Sequence, residues 1–153
     1  MTGSAQKVAI VTGVASPLGI GFAIADRLTR AGTAVLVTDI DSTRSEQRAA
    51  ELRARGDDAL AMAHDVSSED DWRAVFDRAR TQWGGVDHLV NNAGVLRMSG
   101  VDSIPRGEWD LTITTNLTSC YLGIKQAAEH IGERGGGAIV NMCSVSGILG
   151  TPN

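Results

Sequence analysis

The sequence is poor in cysteine, proline and aromatic residues: two Cys, three Pro, and two Phe, three Trp and one Tyr among 153 positions. Cys120 and Cys143 make neither a CxxC pair nor a framework of paired cysteines. A disulfide-stapled fold is thereby excluded, and the two read as free thiols of a reducing compartment, with the cytoplasm the expected location. Cys143 is expected to be a buried thiol that packs as a small hydrophobe. His64, His88 and His130 lie far apart without metal-ligand spacing, so no metal site is expected. No apolar run approaches the ~18 residues that span a bilayer, and the opening MTGSAQK has no apolar signal core. Positive charge is not in excess: 14 Lys and Arg against 18 Asp and Glu leave a net charge of −4. That balance, with a pI near 5.3, argues against a nucleic-acid surface.

Glycine is what the chain does have, 18 residues against a background of roughly 7%. The glycines gather in loops, and between them short β-branched runs alternate with amphipathic stretches. That alternation predicts an α/β protein with a parallel sheet, organised as one domain over residues 1–153. Strands are expected at Val8–Thr12, Ala34–Asp39, Asp58–His64, Asp87–Asn91 and Ala138–Ser144. They are short and apolar, as strands covered by helices on both faces must be. Helices are expected near Ile20–Ala31, Ser42–Arg55, Ser68–Trp83 and Gly107–Glu133. The third carries a serine cap followed by Glu69, Asp70 and Asp71 in its first turn, where the helix dipole favours acids. Trp72, Val75, Phe76 and Ala79 then recur at helical spacing and mark a buried face. Trp72, Trp83 and Trp109 are all expected to serve packing.

The first strand runs into Thr12-Gly13-Val14-Ala15-Ser16-Pro17-Leu18-Gly19-Ile20-Gly21, where a helix begins. Such a strand-to-helix turn points backbone N–H groups, reinforced by the helix dipole, at a pyrophosphate. Glycines there admit positive φ and close approach. An acid, Asp39, follows Gly21 by 18 residues and ends the second strand, where a carboxylate accepts hydrogen bonds from the adenosine ribose. A ribose 2′-phosphate ~4 Å from Asp39 would cost on the order of 4 kcal/mol at an effective dielectric of 20. No Arg or Lys lies between Gly13 and Gly21 to offset this, so NAD(H) is favoured over NADP(H). Arg44 is the nearest cation in sequence that bears on the preference.

Several segments resemble the short-chain dehydrogenase/reductase family, in order and at similar spacing. Thr12-Gly13 with Gly19-Ile20-Gly21 resembles its TGxxxGIG loop, with Ser16 inside it. Asp65-Val66 is similar to its adenine-contacting Asp-Val pair, and Asn91-Asn92-Ala93-Gly94 to its NNAG signature. Asn116 matches its catalytic-helix asparagine, and Ile139–Ser144 its IVNISS strand, which places Ser144 at the catalytic serine. The resemblance implies a doubly wound Rossmann sheet, here ending after the fifth strand. It also implies a nicotinamide dinucleotide cofactor, a small alcohol or carbonyl substrate, and a homo-oligomer for the full-length protein. Ser144 would bond the substrate oxygen, and Asn116 would support a water relay.

Two departures qualify that reading. The glycine loop carries two extra residues, assigned to Pro17-Leu18, which should make it larger and stiffer. The family's Tyr-x-x-x-Lys pair lies beyond its serine, and this sequence stops at Asn153 before reaching one. Tyr121-x-x-x-Lys125 has the spacing but sits ahead of the serine, in the wrong element. The bare chain is therefore expected to turn over poorly, and its fifth strand to be an unprotected edge. Two alternatives stand beside the oxidoreductase: a non-catalytic dinucleotide-binding remnant, and a methyltransferase, against which the Asn91–Gly94 and Ile139–Ser144 segments argue.

Overall fold

A computed structural model describes residues 6–97, 100 and 102–149. Five strands form one parallel sheet: β1 (Val8–Thr12), β2 (Ala34–Asp39), β3 (Ala59–Ala63), β4 (His88–Asn91) and β5 (Ala138–Asn141). Their order is β3-β2-β1-β4-β5. From β1 the chain winds outward to β2 and β3, then crosses to the other side of β1 for β4 and β5. The winding reverses between β1 and β4, and that reversal opens a crevice at the carboxyl ends of the two strands.

The apolar strand sequences follow from this burial. Alternate residues of β1 and β2 face opposite layers, because successive side chains of a strand point to opposite faces. Ala9, Val11, Val35 and Val37 pack with Ala25, Ala49 and Leu52, under helices α1 (Ile20–Thr29) and α2 (Ser42–Arg53). Val8, Ile10, Ala34 and Leu36 pack with Trp72, Val75, Phe76 and Leu122, under α3 (Glu69–Trp83) and α5 (Ser119–Glu133). All five residues of β1 are buried, as a strand at the centre of two helical layers requires.

The helix starts follow local chemistry. The Ser68 hydroxyl accepts the Asp71 N–H at 3.2 Å, and α3 ends on Gly84 at φ +80°. Asp41 caps α2 through the Arg44 N–H at 3.0 Å. α1 alone of these three begins on a residue with no side chain to cap it, Gly19.

Several expectations need correction. The predicted helix Gly107–Glu133 starts one residue earlier and is divided into α4 (Arg106–Ile113), a π turn (Thr114–Thr118) and α5. The fifth strand stops at Asn141, where its pairing with Asn91 ends, so Ser144 lies beyond it and caps a 3₁₀ turn at Val145–Gly147. β3 and β4 are likewise shorter than expected, because ladder pairing begins at Ala59 and His88. Trp72 is fully buried, but Trp109 is half exposed because α4 buries none of its residues. Cys143 is exposed rather than buried, since residues 141–149 lie on the outside of the sheet edge. Among the described residues β5 pairs only with β4, and Val140 is 48% exposed.

The amino-terminal pole of the sheet is tied by one buried carboxylate. Asp87 accepts hydrogen bonds from Lys7 Nζ (2.7 Å), the Val8 N–H (2.9 Å) and Arg134 (3.1 Å). It thereby joins β1, β4 and the segment leading into β5.

Candidate cofactor-binding site

A cleft of about 270 Å³ opens at the carboxyl ends of β1 to β4. Its wall brings together Gly13, Asp39, Asp65, Val66, Ala93 and Gly94, six of the residues singled out from sequence.

Gly13 and Gly21 are glycines for steric reasons. A Cβ on Gly13 would stand 2.7 Å from Ala93 Cα, and the residue holds φ +73°. A Cβ on Gly21 would stand 2.5 Å from the Gly13 carbonyl and equally close to the Asn92 amide. The first turn of α1, the end of β1 and the end of β4 therefore touch through bare backbone. Asn92 locks that contact: its Nδ2 donates to the carbonyls of Thr12 (2.9 Å) and Gly13 (3.0 Å). The Thr12 hydroxyl accepts the N–H groups of Asn92 and Ala93, both at 3.0 Å.

The glycine loop is fastened to β2 by three successive N–H groups. Those of Gly13 and Val14 go to the Thr38 carbonyl at 2.8 and 3.4 Å. That of Ala15 goes to Asp39 Oδ2 at 2.9 Å, and Asp39 Oδ1 takes the Asp41 N–H at 3.1 Å. The two extra residues form the tip of a β-turn closed by Gly19 N–H to the Ser16 carbonyl at 3.1 Å. Pro17 occupies the turn position its ring prefers, and Leu18 projects at the tip, 97% exposed. The insert thus bulges outward without displacing Gly19 and Gly21 from the head of α1. Ile20, next along, is exposed.

On the far side, Ser67 donates its hydroxyl (2.6 Å) and N–H (2.9 Å) to Asp65 Oδ1. Those bonds hold the Asp65 carboxyl below the usual carboxylate range. Val66 is buried, and its carbonyl accepts Trp72 Nε1 at 2.8 Å. The cleft therefore carries two carboxylates, Asp39 and Asp65, at its β2–β3 end. Gly13 lines it too, at the start of the loop that leads to the uncapped amino terminus of α1, whose dipole favours an anion. Hydroxyl and amine donors suit the carboxylates, and a phosphate suits the helix terminus.

Asn116, in the π turn, uses both ends of its amide on Val95: Oδ1 accepts the N–H and Nδ2 donates to the carbonyl, each at 2.8 Å. It fixes the segment after β4 against the helix that roofs the cleft. π turns inside helices occur frequently at functional sites. Ser144 is exposed, and its Oγ accepts the Ser146 N–H at 3.1 Å. Neither Ser144 nor Asn116 lines the cleft, nor do Ser16, Gly19, Ile20, Gly21 and Asn92. Tyr121 is exposed, and Lys125 pairs with Glu69 of α3 at 2.6 Å.

Sequence reasoning passed over His64, Ile40, Val95, Leu111 and Thr114 as cleft residues. Leu111 and Thr115 are four apart on a helix and so share a face, a signal that was available. His64 gave none, since a histidine at a strand end is unremarkable in sequence. Among the described residues no cluster of three or more His, Cys, Asp or Glu is placed to hold a metal. No helix among them is long and apolar enough to cross a membrane.

A doubly wound sheet with this glycine loop at its switch point defines a Rossmann-type α/β fold. The family model for short chain dehydrogenases matches residues 7–153, and the chain belongs to that family. It is 44% identical over 148 residues to a 4-formylbenzenesulfonate dehydrogenase of Comamonas testosteroni, covering 96% of this chain and 58% of the relative. An acetoacetyl-CoA reductase of Cupriavidus necator is 38% identical over 95% of the chain and 58% of its own length. A cyclopentanol dehydrogenase of a Comamonas species is 34% identical, again over 96% and 58%. The chain thus spans less than two thirds of the relatives it matches. These relatives are oxidoreductases, and the family uses nicotinamide dinucleotide cofactors on small molecules.

Proposed function

We propose that this chain forms the NAD(H)-binding part of an oxidoreductase that interconverts an alcohol and a carbonyl compound. The observation that carries the reading is Asp39, whose carboxylate lines the cleft while gripping the glycine loop through Ala15. The residues present fit such a cofactor: Gly13 and Gly21 let the loop pack closely on the residues after β4, which sets Gly13, Asp39, Asp65 and Ala93 around one cleft. Asp39 would accept the adenosine ribose hydroxyls, Asp65 and Val66 would border the adenine, and the head of α1 would face the pyrophosphate. Ser16, Gly19 and Ile20 belong to that last part, and Asn92, Ala93 and Gly94 to the wall beside it. Bound there, the dinucleotide supplies or takes up the hydride.

The NAD preference rests on charge. Asp39 opposes a 2′-phosphate by like charge, and Arg44, the nearest cation in sequence, stands 3.4 Å from Asp41 on the exposed surface. Ser144 would donate a hydrogen bond to the substrate oxygen as charge develops on it. Asn116 would act behind it by holding Val95 and the end of β4. Tyr121 is not given the proton-donor role, because Lys125 beside it is paired with Glu69. We place the protein in the cytoplasm and expect a homo-oligomer. Both a 3-oxoacyl thioester and a secondary alcohol fit the range of relatives.

Titration of the protein with NADH, followed by the cofactor's fluorescence, tests the reading. Saturable NADH binding is expected, with poor NAD reduction by a secondary alcohol in the bare 153-residue chain. Binding without turnover in the longer enzyme as well would favour a dinucleotide-binding remnant. Absence of NADH binding together with S-adenosylmethionine binding would overturn the proposal.

A further inference from the structure

His64 follows β3 directly and is 2% exposed, yet it lines the cleft between Asp39 and the Asp65–Val66 pair. Its ring has one polar contact, Nδ1 to the Thr38 hydroxyl at 3.0 Å, and its Nε2 is buried with no partner. Leaving a ring nitrogen unpaired in the interior costs stability, and an apolar side chain of similar size would avoid that cost. Packing alone therefore does not account for a histidine at this position. Its contacts point elsewhere. The ring edge meets Trp72 at 4.4 Å and 89°, and Trp72 in turn holds the Val66 carbonyl. The His64 backbone N–H bonds to the Asp39 carbonyl at 2.9 Å, which sets the ring beside Thr38 and Asp39. Thr38 and Asp39 are the two residues that fasten Gly13, Val14 and Ala15.

We propose that His64 is a positioning residue for cofactor selection, its ring pinning the Thr38 hydroxyl from the β3 side so that the neighbouring Asp39 carboxylate keeps its aim. The proposal rests on the NAD(H) reading above and adds the residue that enforces it. A loosened Asp39 would swing away from a 2′-phosphate and would hold the ribose hydroxyls less well. Discrimination between the two dinucleotides would then fall along with affinity. Burial keeps the imidazole neutral, and a neutral ring can share one hydrogen with the Thr38 hydroxyl in either sense.

The test is the ratio of NADPH to NADH dissociation constants, measured by titration for the protein and for His64→Leu, His64→Asn and Thr38→Val. His64→Leu is expected to weaken NADH about tenfold and to cut the ratio at least fivefold. His64→Asn, whose carboxamide can still meet Thr38, should recover the ratio to within about threefold. Thr38→Val should reproduce the loss, and adding it to His64→Leu should bring no further change, as expected of partners in one interaction. An unchanged ratio in Thr38→Val, or His64→Asn no better than His64→Leu, would overturn the proposal. Wild-type protein that binds neither dinucleotide would overturn the NAD(H) reading and this inference together. Wild-type discrimination that survives every variant would overturn this inference alone.

Discussion

Asp39 Oδ2 accepts the Ala15 N–H at 2.9 Å, so the acid that ends β2 also anchors the loop that ends β1. On the proposed reading, ribose recognition and placement of the phosphate loop form one mechanical unit. Asp41 extends it, donating its N–H to the other Asp39 oxygen and capping α2 with its own carboxylate. A change at Asp39 therefore reaches both halves of a bound dinucleotide.

Gly21→Ala is expected to disrupt the junction of α1, β1 and β4. The added Cβ would meet the Gly13 carbonyl at 2.5 Å, and that carbonyl is held by Asn92. Overpacking of this kind costs about 1–3 kcal/mol. Thermal denaturation should show a fall on the order of 3–10 °C, with a loss of NADH affinity in the variant that remains folded. A variant with unchanged melting and affinity would show that the backbone contact is not tight.

Asp87 should be a stability residue with no bearing on cofactor choice. Its burial alone would raise the carboxyl pKa, but the bonds from Lys7, Val8 and Arg134 outweigh this and hold it below the ordinary value. A carboxyl so depressed contributes stability above its unfolded pKa, and that stability is lost as pH falls through the folded one. Asp87→Ala leaves the buried Val8 N–H without its acceptor, at about 1–3 kcal/mol, while the half-exposed Lys7 can turn to solvent. Urea denaturation at pH 7 should show that loss, with the NADPH to NADH preference of the folded fraction unchanged.

His64 predicts a separate acid sensitivity. Burial pushes its pKa from the ordinary 6.5 down to about 4, against the pull of Asp71 and Asp65. The unfolded chain therefore binds a proton that the folded chain refuses between those values. Stability should decline as pH falls from 6.5 towards 4, by on the order of 3 kcal/mol across the window. Denaturant titrations at stepped pH, compared with His64→Asn, check this: the variant should lack this part of the decline.

Much of this was legible in sequence because strands and loops here obey local rules. The apolar runs of β1 and β2 and the Ser68 start of α3 are seen at the residues expected. Gly13, Asp39, Asp65 and the Ala93-Gly94 pair that follows β4 converge on one cleft, while the rest of the glycine loop lies outside its lining. What was not legible depends on partners distant in sequence. The π turn at Thr114–Thr118 leaves no mark in apolar spacing, and Asn116 finds Val95 only once α4 lies over the end of β4. The likeness of Ile139–Ser144 to the family's IVNISS strand puts Ser144 on a strand. The ladder stops at Asn141 because β4 ends opposite it. Residue type alone points Cys143 and Trp109 to the interior, but among the described residues no second layer covers either.

Asn116→Ala would remove two hydrogen bonds to Val95 at once. At about 0.5–1.5 kcal/mol each, the loss should be about 1–3 kcal/mol by denaturant titration. Hydrogen exchange should show faster exchange at the Val95 amide. An unchanged exchange rate there would mean that the segment after β4 is held by other contacts.

The central claim is that Asp39 sets the chain's preference for NAD(H), and the most direct measurement is calorimetric titration of NADH and NADPH into the wild type and Asp39→Ala. The account predicts that the wild type binds NADH at least tenfold more tightly than NADPH, a difference of about 1.4 kcal/mol or more. It predicts that Asp39→Ala weakens NADH and brings the two dinucleotides within about threefold of each other. Equal or tighter binding of NADPH by the wild type, or an Asp39→Ala variant that keeps the preference intact, would contradict it.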